Sequence, residues 1–150
     1  MGRVIAFNHF SATVSDMEVA LSFWQDGLEL ELLGRGIVEY EHLDHIVGLA
    51  GTRIEWAELK IDGGGIVELF RYHAPQGAPL GGWVNDPGKT HLCLEVEDVD
   101  YLIKRLRGRG FPPVHGAGAV EIPVGDWKGF RSVYVRAPDD VVVELVETHG

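Results

Sequence analysis

The chain has 150 residues, 45% hydrophobic and 24% charged, which is the make-up of one soluble domain long enough to bury roughly 70% of its unfolded-chain surface. Its formal net charge of −10 repels phosphate backbones and anionic lipid, so no nucleic-acid or membrane partner is expected and a small molecule is. A single cysteine, Cys93, leaves no intrachain disulfide. No stretch of ~18 apolar residues could span a bilayer, and the first sixteen residues lack the basic, apolar and small-residue pattern of a leader, so the cytoplasm is the expected location.

In chain order, the first regular signal is the alternation His9-Phe10-Ser11-Ala12-Thr13-Val14. It puts Phe10, Ala12 and Val14 on one face and His9, Ser11 and Thr13 on the other, as in a half-buried strand. Ser15 or Asp16 can then cap a helix whose apolar residues Met17, Ala20, Leu21 and Trp24 recur at helical spacing, ending near Gly27. Strand-like segments follow at 28–33, 53–61 and 66–72. The stretch 34–51, GRGIVEYEHLDHIVGLAG, reads as a lid, a short helix or a loop. A linker of about 74–88 opens on APQGAPLGG, dense in Gly and Pro.

The remainder repeats this order. His91-Leu92-Cys93-Leu94-Glu95-Val96 alternates again, Asp98 starts a helix through Val99, Leu102, Ile103 and Leu106, and strand-like segments follow at 114–122, 130–135 and 141–147. At one constant offset His9 aligns with His91, Val14 with Val96, Asp16 with Asp98, Met17 with Val99 and Leu21 with Ile103. Each half reads βαβββ, as modules of about 5–73 and 89–147 within a single α+β domain over 1–150; segment 34–51 has no counterpart.

The last strand of each half carries a glutamate in an apolar, β-branched run: Glu68 in IVELF and Glu144 in VVVELVE. Burying an ionised carboxylate there costs several kcal/mol unless something pairs with it. A lone strand histidine or glutamate is ordinarily a surface or satisfied core residue. What sets His9, Glu68, His91 and Glu144 apart is that all four hold corresponding places in two copies of one repeat. Imidazole nitrogens and carboxylate oxygens suit a divalent first-row ion, and the absence of thiolates argues against a closed structural zinc site. The expectation is one divalent ion in an open catalytic site. Alternation puts Ser11, Thr13, Phe70, Tyr72 and Cys93 on the ligand face as the expected substrate lining. Trp56, Trp83 and Trp127 read as core or surface residues.

The paired βαβββ pattern, the strand-leading His followed by V-x-D and a helix (Val14-Ser15-Asp16, Val96-Glu97-Asp98), and the V-E-L strand closing each half resemble the vicinal oxygen chelate superfamily. That superfamily includes glyoxalase I, methylmalonyl-CoA epimerase, extradiol dioxygenases, and the fosfomycin and bleomycin resistance proteins. The resemblance covers about residues 5–147. It implies two modules forming a curled mixed-sheet cup around a metal site, with His9, Glu68, His91 and Glu144 as the ligands. The turn before the last strand, usually Asp-Pro-Asp-Gly in the family, here reads Ala137-Pro138-Asp139-Asp140.

Four ligands resemble the glyoxalase and epimerase plan more than the three-ligand plan of the dioxygenases and fosfomycin resistance proteins. The resemblance then implies Ni, Co, Zn or Mn chelating vicinal oxygens of a small carbonyl or carboxylate substrate, an enediolate, and Glu144 as the base that moves the proton, in isomerase or lyase chemistry. The second carboxylate of an epimerase is expected before the third strand, where VGLAGT (47–52) holds no acid, leaving Glu39, Glu41 and Glu55 as substitutes. One alternative is an Fe(II) extradiol-type dioxygenase, for which Tyr134 would line the substrate site unless it is an ordinary strand tyrosine. The other is a non-catalytic binding or resistance protein, against which the intact ligand set argues. A homodimer is a candidate assembly.

Overall fold

In the computed structural model, which describes residues 2–116 and 118–148, the first alternating segment is strand β1 (His9–Thr13). It is followed by α1 (Met17–Trp24), β2 (Glu31–Val38), α2 (Glu41–Val47), β3 (Arg53–Lys60) and β4 (Ile66–Ala74). The repeat supplies β5 (His91–Glu95), α3 (Val99–Gly108), β6 (Val120–Glu121), β7 (Arg131–Arg136) and β8 (Val142–Glu147). The fold is α+β with two four-stranded mixed sheets, ordered β1-β4-β3-β2 and β5-β8-β7-β6, neither closed. In each, the first strand runs parallel to the last and the remaining pairs are antiparallel. The sheets belong to two compact units, one of residues up to Gln25 with Glu29–Ala78, the other of Asp26–Leu28 with the residues from Pro79 on. No helix among the described residues is long and apolar enough to cross a membrane.

In the first unit Asp16 caps α1, its carboxylate accepting from the backbone N–H of Glu18 and Val19 at 2.9 and 3.1 Å. The helix packs on β4 and buries Met17, Ala20, Leu21 and Trp24, while Ala12, Ala57, Leu59, Val67 and Leu69 are buried in the sheet. Each such large side chain contributes roughly 1.5–3 kcal/mol of burial. In the second unit Asp98 caps α3, accepting from Tyr101 N–H at 2.9 Å, and Val99, Ile103 and Leu106 are buried. Glu147, the second glutamate of VVVELVE, faces this side. Its carboxylate accepts from the Val99 N–H at 2.8 Å and pairs with Arg131 at 3.3 Å, a second cap brought from the far end of the chain.

Three segments depart from expectation. Residues 34–51 are half strand and half helix: β2 starts later than residue 28 and runs on to Val38, and α2 follows, ended by Gly48 at φ 74. The α2–β3 connection is tied down by Asp44, which accepts from the N–H groups of Gly51 and Thr52 at 2.7 and 2.8 Å. These bonds hold its carboxyl below the usual range. The expected strand 114–122 shrinks to the two residues of β6: the Val114 N–H still donates to the Tyr134 carbonyl at 2.8 Å, but Gly116, left-handed at φ 72, turns the chain away from extended geometry. The Ala137–Asp140 turn closes with Asp139 and Asp140 both left-handed, at φ 59 and 63, a conformation aspartate tolerates better than most residues.

Candidate metal centre

Residues directly opposite across a sheet point to the same side, so the pairing register defines the site face of each unit. In the first, β3, β4 and β1 lay down three rows: Lys60–Ile66–His9, Glu58–Glu68–Ser11 and Trp56–Phe70–Thr13. Tyr72 follows on β4, its ring edge-on to Phe70 at 6.5 Å. His9 Nε2 stands 3.4 Å from Glu68 Oε2. On its other side the His9 ring meets the Asn8 side-chain oxygen, 2.7 Å from Nδ1. With its hydrogen on Nδ1, donated to that oxygen, the ring would present the Nε2 lone pair toward Glu68.

The second unit lays down the corresponding rows Arg136–Val142–His91, Tyr134–Glu144–Cys93 and Ser132–Val146–Glu95. His91 Nε2 stands 3.3 Å from Glu144 Oε2, and the other oxygen of Glu144 accepts from the Ser132 hydroxyl at 2.6 Å. Val142 and Val146 are buried on this face, as Val143 and Leu145 are on the other, so Glu144 lies in the apolar setting that its sequence implies. The Tyr134 ring is 5.1 Å from that of His91. Partial burial, and next the charge of Glu144, push the Cys93 thiol up to about 11, so it is protonated at neutral pH and is no thiolate nucleophile. Burial and Glu144 likewise raise Tyr134 and keep it a phenol.

Each buried-run glutamate is thus matched by the histidine of its own module. Two ligands at adjacent positions about 2.1 Å from an ion stand about 3 Å apart, and the nitrogen–oxygen spacings of both pairs suit that bite. The donor set therefore fits a divalent ion pair by pair. Among the described residues no group of three or more His, Cys, Asp or Glu gathers to hold one.

Of the expected lining, Ser11, Thr13, Phe70 and Tyr72 lie on the face of the first pair, and Cys93 and Tyr134 on that of the second. Trp83 and Trp127 are surface residues, 73% and 54% exposed. Trp56 is not: it lies on the site face, opposite Phe70. Glu58, directly opposite Glu68, escaped the sequence reading. The signal that finds it is the Asp62-Gly63-Gly64-Gly65 turn, since a hairpin centred on residue 63 makes 58 face 68. The three substitutes considered instead are placed elsewhere. Glu39 pairs with Arg53 at 3.3 Å, Glu41 begins α2, and Glu55 accepts from Arg35 at 2.7 Å and lies 3.2 Å from His73 Nε2.

The family model for the glyoxalase/bleomycin resistance protein/dioxygenase superfamily matches residues 6–145. By sequence the chain is similar to a 2-epi-5-epi-valiolone epimerase from an Actinomyces species, 31% identical over 149 residues that cover 95% of this chain and 79% of the relative. By structure it is similar to a glyoxalase family protein from Bacillus cereus, with a TM-score of 0.83 at 26% identity over 97% of this chain and 95% of that one. It shares its fold with the trypanothione-dependent glyoxalase I of Leishmania major, with a TM-score of 0.61 at 17% identity over 97% and 88% of the two chains.

Proposed function

The chain belongs to the glyoxalase/bleomycin resistance protein/dioxygenase superfamily, and on that premise we propose that it is a divalent-metal-dependent epimerase that moves a proton next to the carbonyl of a small substrate. His9, Glu68, His91 and Glu144 are the proposed metal ligands. The observation that carries this reading is the repeated pair: in both modules a histidine Nε2 and a glutamate oxygen stand 3.3–3.4 Å apart in register-equivalent places. The likeness to a 2-epi-5-epi-valiolone epimerase supports proton transfer over the other chemistries of the superfamily.

A bound divalent ion supplies Lewis acidity to the substrate oxygens, stabilising the negative charge that develops when the neighbouring C–H bond breaks. Glu144 takes that proton. The Ser132 hydroxyl holds one of its oxygens at 2.6 Å, so the proton goes to the other, the one facing His91, which has to let go of the ion when substrate binds. An epimerase must also return a proton to the opposite side of the carbon, which takes a second acid–base group. Glu58, on the site face beside Glu68, is assigned that role. The Tyr134 phenol and Cys93 thiol can donate hydrogen bonds. The proposal includes a small carbonyl or carboxylate compound as the partner and a cytoplasmic setting.

A second reading, an Fe(II) extradiol-type dioxygenase, draws on the Tyr134 ring beside His91. Incubation of the metal-loaded protein with 2-epi-5-epi-valiolone in deuterated water separates the two. The epimerase reading predicts deuterium at the carbon next to the carbonyl, a second epimer, and loss of both on metal chelation. Oxygen consumption, or a substrate that keeps its protons and its configuration, would contradict it.

A further inference from the structure

We propose that Trp56, laid on a floor of two glycines, is a stacking platform that selects ring-shaped, polyhydroxylated ketones over open-chain ones; this rests on reading the His9–Glu68 face as part of the active site. Gly34 and Gly36 stand opposite Glu58 and Trp56 on β2, and so on the same face. A Cβ built on Gly36 would come within 3.2 Å of the indole Nε1 and 3.3 Å of Cζ2, and one on Gly34 within 3.3 Å of Cη2. The indole therefore crosses the β2 backbone with one face down. Neither glycine is in the left-handed region, so conformation does not require them; the space under the ring does. Glycine weakens a strand interior, and β2, an edge strand, carries two.

Trp56 is half-buried. Its row continues through Phe70 to Thr13, and the neighbouring row, Glu58–Glu68–Ser11, carries oxygens. A flat apolar strip beside a line of hydrogen-bonding groups matches a ligand with C–H faces and hydroxyl edges, which is a polyhydroxylated carbocycle. An open chain would have to freeze several rotors to cover the same indole. In the second unit the equivalent row is Ser132–Val146–Glu95, without an aromatic ring, so the repeat itself does not demand the platform.

The test uses the full chain labelled with 5-fluorotryptophan, the Trp56 resonance being identified by its absence from Trp56→Phe, and 2-keto-myo-inositol and dihydroxyacetone as probes. Fluorine NMR titrations are run with and without added metal, alongside calorimetric metal titrations of every variant. The ring ketone is expected to shift the Trp56 resonance and dihydroxyacetone to leave it in place. Trp56→Ala and Gly36→Ala should weaken ring-ketone binding roughly three- to tenfold, while Trp56→Phe stays near wild type. A ring ketone that leaves the resonance unmoved, binds no better than dihydroxyacetone, or binds Trp56→Ala as well as wild type would overturn the platform. Failure of the metal reading shows separately, as absent metal uptake with the Trp56 response intact.

Discussion

The two units run the same strand–helix–strand plan and place a histidine and a glutamate at matching points of their first and last strands, at 3.4 Å in one and 3.3 Å in the other. Around that constant pair the rows of the glutamate and beyond it differ. Opposite the glutamate stands Glu58 in the first unit and Tyr134 in the second; beside it, Ser11 and Cys93; in the next row, Trp56 with Phe70 against Ser132 with Val146. The first unit also inserts α2 between β2 and β3, where the second has no helix between β6 and β7 among the described residues. The repeat thus conserves groups that can bind an ion and diverges in those that would meet a substrate.

The largest effect is expected where the paired glutamates are made to differ. At saturating metal, Glu144→Gln should cut exchange of the substrate α-proton with deuterated water about 10³-fold, because an amide can coordinate but cannot accept the proton. Glu68→Gln should chiefly weaken metal affinity. Equal behaviour of the two in both assays would erase the proposed division of labour. Next come the residues opposite them: Glu58→Gln should slow formation of the second epimer about 10²-fold while the first proton still exchanges, and Tyr134→Phe should change neither by more than a few-fold. Melting curves compare the helix caps. Glu147→Ala, which strands the buried Val99 N–H and leaves Arg131 with Asp100 as its carboxylate partner, should cost about 1–3 kcal/mol, against about 1 kcal/mol for Asp16→Ala in the first unit.

The smallest effect belongs to a feature of the first unit alone. Burial raises the Glu55 carboxyl, but hydrogen bonds from Arg35 and His73 outweigh it and hold the group below its ordinary value. A depressed carboxylate stabilises the fold above its unfolded pKa and loses that contribution as pH falls through its folded one. Glu55→Gln should therefore melt lower than wild type at neutral pH, and the gap should narrow below about pH 4. A gap that is constant with pH would assign the loss to packing.

Much of this was legible in the chain because two periodicities carry it. Alternation placed His9 and His91 on the side away from Phe10, Ala12, Leu92 and Leu94, and helical spacing found α1 and α3 with their aspartate caps. Where glycine replaces the alternating side chains the signal disappears: Gly34 and Gly36 hid the second half of β2, since what they accommodate, the Trp56 ring, comes from another strand. Glu58 needed the register of the β3–β4 hairpin rather than the pattern of either strand. Glu147 could not be seen as a cap at all, because its partner N–H lies 48 residues away and only the parallel pairing of β5 with β8 brings the two together.

Metal titration of the purified protein tests the central claim most directly, with calorimetry and thermal melting in the presence of Ni, Co, Zn or Mn and parallel titrations of His9→Ala and His91→Ala. The account predicts about one ion per chain, a rise in melting temperature as the ion binds the native state, and a large loss of affinity in each variant, the two losses being similar. No uptake with no stabilisation, or full affinity retained when either histidine is removed, would contradict it.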